Sequence, residues 1–184
     1  MSCDNVVPAE STSLTQAFGS LVPVHLGLTQ DVRHRSVMAL NRLLAHTIAL
    51  RDLYKKSHWQ TSGATFFELH QLFDKHYREQ EGLMDEVAER VQTLGGVAMA
   101  LAKDIAEETR LARGPAGIEN SAAQLLRLLN AHELVLLEAR PLSSAAAGTG
   151  DVGTNDLIVH LVRVNELQSW FLWRQSAIPS LPPQ

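Results

Sequence analysis

Clusters of backbone-breaking residues fall at only a few places in this chain, and their spacing constrains the fold more than any other feature. Ser62-Gly63, Gly95-Gly96, Gly114-Pro115 with Gly117, the trio Gly148, Gly150 and Gly153, and finally Pro179 leave four long stretches between them. In the first, from about Thr29 to His58, Val32, Ser36, Ala39/Leu40, Leu43/Leu44, Thr47/Ile48, Leu50/Arg51 and Tyr54 recur at three- and four-residue steps, the period of one helix face. The second, about Thr65 to Leu94, stops at the paired glycines. The third covers about Glu119 to Ala146, tolerating Pro141 or bending there, and the fourth starts near Thr154, read as its N-cap, and ends before Pro179. Each is long enough for a helix of ~40 Å. Ala98–Leu111 reads as a short helix lying across the long connection between the second and third. The expectation is an all-α fold over residues 29–178, a four-helix bundle made of two long hairpins joined by one crossover. Residues 1–28 read as an irregular N-terminal tail whose apolar stretch Leu21–Leu28 could dock on a neighbouring surface, and residues 179–184 as a proline-rich C-terminal tail.

Composition supports helices and narrows the function classes. Leu, Ala and Val dominate the 45% hydrophobic content and aromatics are only 5%, a balance that favours packed helices over sheets. Sixteen Lys and Arg against 20 Asp and Glu give a net charge of −4, with no strongly basic stretch, so charge gives no support for nucleic-acid binding and is compatible with handling cations. The single cysteine, Cys3, has no partner for an intramolecular disulfide, which fits a reducing cytosol. No segment has the length of apolar sequence expected of a membrane span, and no secretory leader is recognisable, so a cytoplasmic protein is expected.

The residues that carry chemistry lie on the second helix. His70 and Asp74 stand four apart, as do Asp85 and Glu89, so each pair shares a face. Asp74 and Asp85 are eleven apart, close to three full turns, which aligns all four on one stripe; His58 closes the preceding helix beside Trp59. Acids are common on solvated helix faces, so spacing alone does not settle their role. Distance says more. Eleven residues separate the pairs by ~16 Å, whereas ligands of one ion lie within ~2–2.5 Å of it. The two pairs cannot share a metal: either each is half of something else, or the stripe faces its own copy across a two-fold axis, which would generate two equivalent intersubunit sites. A buried site inside one bundle would use Glu-x-x-His motifs, and none of the eight histidines has Glu three residues before it. Carboxylate and imidazole ligands suit Fe(II), Mn(II) or Zn(II).

Taken together, His58-Trp59-Gln60-Thr61-Ser62-Gly63, Phe66-Phe67-Glu68-Leu69-His70, Phe73-Asp74, Met84-Asp85-Glu86-Val87-Ala88-Glu89-Arg90 and Leu94-Gly95-Gly96 resemble, in order and spacing, the Dps family of ferritin-like miniferritins, over roughly Val32 to Arg174. The resemblance implies a hollow dodecamer. It implies that His58, His70 and Asp74 of one subunit meet Asp85 and Glu89 of its two-fold partner, that Fe(II) is oxidised there, typically by hydrogen peroxide, and that ferric mineral is stored in the cavity. Trp59 resembles the family tryptophan beside the site, with a role in packing or in quenching radicals; a core aromatic at a helix end is the alternative. Gly150–Leu157 resembles a family element whose acids line three-fold pores, making Asp151 and Asp156 the pore candidates; the alternative is complementation of a helix dipole.

The chain departs from the family pattern in its tails. Residues 1–32 contain no Lys or Arg, and no charged side chain follows Arg174, so the cationic contacts that DNA phosphates require are missing there. A DNA-compacting protein with incidental metal binding and a Zn(II)-glued structural cage remain the competing readings. The other histidines, His25, His34, His46, His76, His132 and His160, have no second ligand at helical spacing and read as surface or capping residues, with His76 on a different face from Asp74.

Overall fold

The computed structural model describes residues 14–176 and contains five helices: α1 (Gln30–Gln60), α2 (Phe66–Thr93), α3 (Ala102–Glu108), α4 (Ser121–Gly148) and α5 (Val152–Ser176). The expectations for residues 1–13, with Cys3, and for residues 179–184 lie outside the described residues. The starts of α1 and α4 follow from their caps. Thr29 Oγ1 accepts from Val32 N at 3.3 Å and Asn120 Oδ1 from Ala123 N at 2.9 Å, satisfying donors that a helix start leaves free. Helices α1 and α2 form one antiparallel hairpin and α4 and α5 the other; α1 packs beside α4, α2 beside α5, and α3 leans on α1. The described residues therefore form the expected all-α four-helix bundle with a short crossover helix. No described helix is long and apolar enough to cross a membrane.

Leu40, Leu43, Leu44, Leu50 and Tyr54 of α1, Phe73, Val87 and Val91 of α2, Leu128 and Val135 of α4, and Ile158, Leu161 and Leu172 of α5 build one continuous core. Each set recurs at helical spacing, so every helix buries one stripe. Pro141 sits inside α4 without ending it.

The break between the last two helices is shorter than the expectation, because Gly148 belongs to α4. Gly153 belongs to α5 rather than to the loop, and Thr154 does not cap that helix; Asp151 does, its carboxylate accepting from Thr154 N at 3.1 Å. Both residue types can cap. Asp151 prevails because its charge is also taken up by Arg90, a partner 61 residues away.

The segment before α1 docks on its own bundle. Leu21 and Leu28 pack against the core, Val22 N donates to Gly95 O at 2.9 Å, and the buried Arg33 donates to Val22 O (3.0 Å) and Leu94 O (2.8 Å). Gly95 has φ +83°, and a Cβ there would stand 2.5 Å from Val22 O. Gly95→Ala is expected to cost about 1–3 kcal/mol through the left-handed backbone alone, and more through expulsion of the docked segment. A lowered denaturation midpoint, with protease cleavage appearing within residues 14–29, is the expected readout; an unchanged midpoint would contradict it.

Candidate metal centre

The end of α1 and the start of α2 meet through two histidines that hold each other. His58 Nδ1 donates to the backbone carbonyl of His70 and His70 Nδ1 to that of His58, both at 2.9 Å. A carbonyl only accepts, so in each neutral ring Nδ1 carries the proton and Nε2 keeps its lone pair. The rings stack at 3.7 Å with 24° between planes, and Phe66 flanks His70 at 5.1 Å. Two imidazoles are thus fixed in the tautomer a metal needs, each oriented by the bond on its other nitrogen. Spacing in the sequence carries no sign of this reciprocal lock.

Asp74 stands one turn further along α2, half-buried, with Oδ1 3.2 Å from Lys55 Nζ and Oδ2 2.7 Å from Arg78. Burial alone would raise its pKa; the Lys55 hydrogen bond and the Arg78 charge outweigh that and hold it below the ordinary aspartate range. The carboxylate is ionised at neutral pH and balanced by two movable cations. Asp85 and Glu89 lie further down the same unbroken helix, both exposed. Neither forms an ion pair or a side-chain hydrogen bond among the described residues, and no three His, Cys, Asp or Glu of those residues converge on a point where one ion could sit. Along α2 the two carboxylates Asp74 and Asp85 stand ~16 Å apart.

The remaining candidates divide. Trp59 is 72% exposed and so belongs to no core of this chain. Asp156 is exposed on the first turns of α5. Asp151 is corrected as a pore candidate: it is 1% exposed and its carboxylate is occupied by Arg90 (2.6 Å), Ser36 Oγ (2.6 Å) and Thr154 N. It ties α1, α2 and α5 together and presents nothing to a pore.

Three of the other histidines are core residues rather than surface or capping ones. His46, His76 and His132 are each 0% exposed. His46 joins Thr109 of the crossover (3.2 Å) to Glu138 of α4 (2.9 Å). His76 and His132 flank Tyr54, whose hydroxyl is 3.1 Å from His76 Nδ1 and 2.5 Å from His132 Nε2. Burial pushes both imidazoles down to about 3 and the Tyr54 phenol well above its usual range, so all three are neutral. A signal existed in the sequence: His76 follows Leu69 and Phe73, and His132 stands between Leu125/Leu128 and Val135/Ala139, at apolar-stripe positions.

Comparison with known proteins gives the chain relatives. Residues 37–176 match the model of the ferritin-like domain. The chain is 46% identical to the solved structure of DpsC from Streptomyces coelicolor, with a TM-score of 0.91 over 93% of this chain and 100% of that one. A nutrient stress-induced DNA-binding protein from Synechococcus sp. is 30% identical over 88% of this chain and 92% of its own. A Dps protein from Vibrio cholerae O1, described as a member of a broad superfamily of ferritin-like diiron-carboxylate proteins, is 27% identical with a TM-score of 0.79, covering 85% of this chain and 98% of that chain.

Proposed function

Because the chain belongs to the Dps family of the ferritin-like domain, we propose that it oxidises Fe(II) at sites shared between two-fold-related subunits and stores the ferric product inside a hollow oligomer, a dodecamer. The observation that carries this reading is two separated groups of ligand-type side chains, His58 at the end of α1 with His70 and Asp74 of α2, and Asp85 with Glu89 further along α2. His58, His70 and Asp74 offer two locked imidazole lone pairs and a carboxylate. Asp85 and Glu89 of the partner subunit, in an antiparallel arrangement, supply two more carboxylates. Such oxygen-rich sets favour iron and stabilise Fe(III) more than Fe(II), so oxidation of bound iron becomes easier. Zn(II) fits the same ligands and would compete.

Each residue has a defined task. The Nε2 atoms of His58 and His70 bind Fe(II), while Nδ1 of each ring stays on the facing carbonyl. Asp74 exchanges Lys55 and Arg78 for the incoming cation. The exposed, unpaired Asp85 and Glu89 close the coordination sphere when subunits pair. Peroxide, accepting two electrons, suits two Fe(II) without releasing hydroxyl radical, and this is how the protein guards against oxidative damage. Asp156 serves as the acid that draws cations toward the interior at a three-fold pore. Trp59, exposed beside His58, packs against the neighbouring subunit.

Anaerobic Fe(II) followed by peroxide is expected to deposit far more irons than there are chains, with faster oxidation by peroxide than by dioxygen. Uptake that stalls at one or two irons per chain would defeat the storage reading. The Synechococcus relative is named for DNA binding, which favours testing that function too. The tails here lack cations, so no retardation of duplex DNA is expected at low salt and neutral pH, and a salt-sensitive shift would reverse that conclusion.

A further inference from the structure

The buried chain of hydrogen bonds around Tyr54 has a direction. Asn165 Nδ2 donates to the Leu161 carbonyl at 2.8 Å, which turns Asn165 Oδ1 toward His132 Nδ1 at 2.8 Å. His132 therefore carries its proton on Nδ1, and its bare Nε2 accepts from the Tyr54 hydroxyl at 2.5 Å. The Tyr54 oxygen in turn accepts from His76 Nδ1 at 3.1 Å. Tyr54 is 0% exposed, and one helix turn, ~6 Å along the axis, separates it from His58. Its ring is 6.2 Å from that of Phe73, the residue before Asp74. A phenol sealed from water, aimed at a bare imidazole nitrogen and one turn from the proposed iron ligands has the surroundings of an electron donor: when the ring loses an electron, its acidic proton has a receiver in place.

Resting on the iron-oxidising reading above, we propose that Tyr54 is an internal one-electron reductant that completes the reduction of peroxide when only one Fe(II) occupies a site. The step balances. Fe(II), H2O2, Tyr54–OH, neutral His132 and two solvent protons give Fe(III), two waters, the Tyr54 phenoxyl radical and His132 imidazolium. Iron supplies one electron and Tyr54 the other; the O–O bond breaks, and the phenolic proton moves to His132 Nε2. A second Fe(II) resets the pair: it gives its electron to the phenoxyl radical and the proton returns from His132. Burial disfavours a charged His132, which drives that return and keeps the oxidised state a brief store rather than an end point. Half-filled sites then consume peroxide without releasing hydroxyl radical.

The chain has only two tyrosines, so the radical can be assigned. Tyr77 is partly buried, bonded to Glu81 with Lys55 over its ring. The assembled protein, labelled with ring-deuterated tyrosine, is mixed with Fe(II) at less than one iron per site, then with peroxide, and freeze-quenched for electron paramagnetic resonance. The expected result is a tyrosyl signal narrowed by deuteration, retained in Tyr77→Phe and absent in Tyr54→Phe, which also releases several-fold more spin-trapped hydroxyl radical than the wild type. Loss of the signal in Tyr77→Phe overturns the proposal without requiring that Tyr54→Phe fold. Normal ferric absorbance with no tyrosyl radical overturns it while leaving the ferroxidase reading intact. Absence of iron oxidation overturns both.

Discussion

A His58→Ala protein is expected to oxidise Fe(II) with peroxide at least ~100-fold more slowly than the wild type, since even residues that merely support a ligand cost ~10–100-fold when removed. The change is unusually clean at this position. His70 is oriented by the backbone carbonyl of residue 58, and alanine keeps that carbonyl. His70 therefore retains its tautomer, and the loss reports one missing Nε2 lone pair and one lost ring stack. Asp85→Ala is expected to lose fast oxidation to a similar degree while leaving the fold of the single chain untouched, because Asp85 is exposed and makes no side-chain contact that the bundle needs. Stopped-flow absorbance of the ferric product, with circular dichroism as the folding control, reads both variants. Wild-type rates in both would refute the ligand assignment.

Asp151→Ala is expected to be the most destabilising single change outside the apolar core, at about 3–5 kcal/mol. It leaves the partly buried Arg90 guanidinium without its carboxylate and frees Ser36 Oγ and Thr154 N at once. Gly153 adds to the sensitivity. A Cβ there would stand 3.1 Å from the Arg90 guanidinium, so α5 begins with a residue that lets Arg90 lie across it. Asp151→Asn keeps a competent N-cap and removes only the charge, so about 1 kcal/mol should separate the two variants, the worth of a cap. The same residue sets an acid limit. Burial alone would raise the Asp151 pKa; hydrogen bonds from Ser36 and Thr154 and the Arg90 charge outweigh that and hold it below the ordinary aspartate range. A carboxyl depressed in the folded state contributes its stability above the unfolded value and loses it as pH falls through the folded one. Denaturant titrations should show wild type falling toward Asp151→Asn only below about pH 4, with their difference constant above about pH 5. A difference independent of pH down to pH 2 would contradict the ion pair.

The contrast between these two residues shows what a sequence exposes. That Asp74 and Asp85 of one chain stand too far apart to share an ion is legible from helix rise alone, because α2 is one unbroken helix and rise is a property of the backbone. The same logic placed the four long helices, since glycine pairs and prolines act locally. Asp151 reads as a pore acid in the sequence because its partner Arg90 lies on another helix, and local patterning cannot see a contact across 61 residues. His76 and His132 read as surface residues for a related reason. Their polarity suggests a surface, yet each sits on an apolar stripe where Tyr54 and Asn165 complete its hydrogen bonds. The reciprocal His58–His70 lock was equally hidden, being made to backbone atoms that every residue carries. Trp59 is half of a surface whose other half lies on another subunit in the proposed assembly.

Mixed assembly tests the shared site most directly. His58→Ala and Asp85→Ala chains, each slow alone, are co-expressed under separate tags and purified as mixed oligomers. In a two-fold pair holding one of each, one site carries both changes and the other carries neither. Random pairing makes half of the pairs mixed, so about a quarter of wild-type sites should return. The account predicts recovery of fast Fe(II) oxidation to roughly that amplitude. Mixed oligomers that assemble normally yet remain as slow as either parent would contradict it, because sites built within a single chain cannot be rescued by a neighbour.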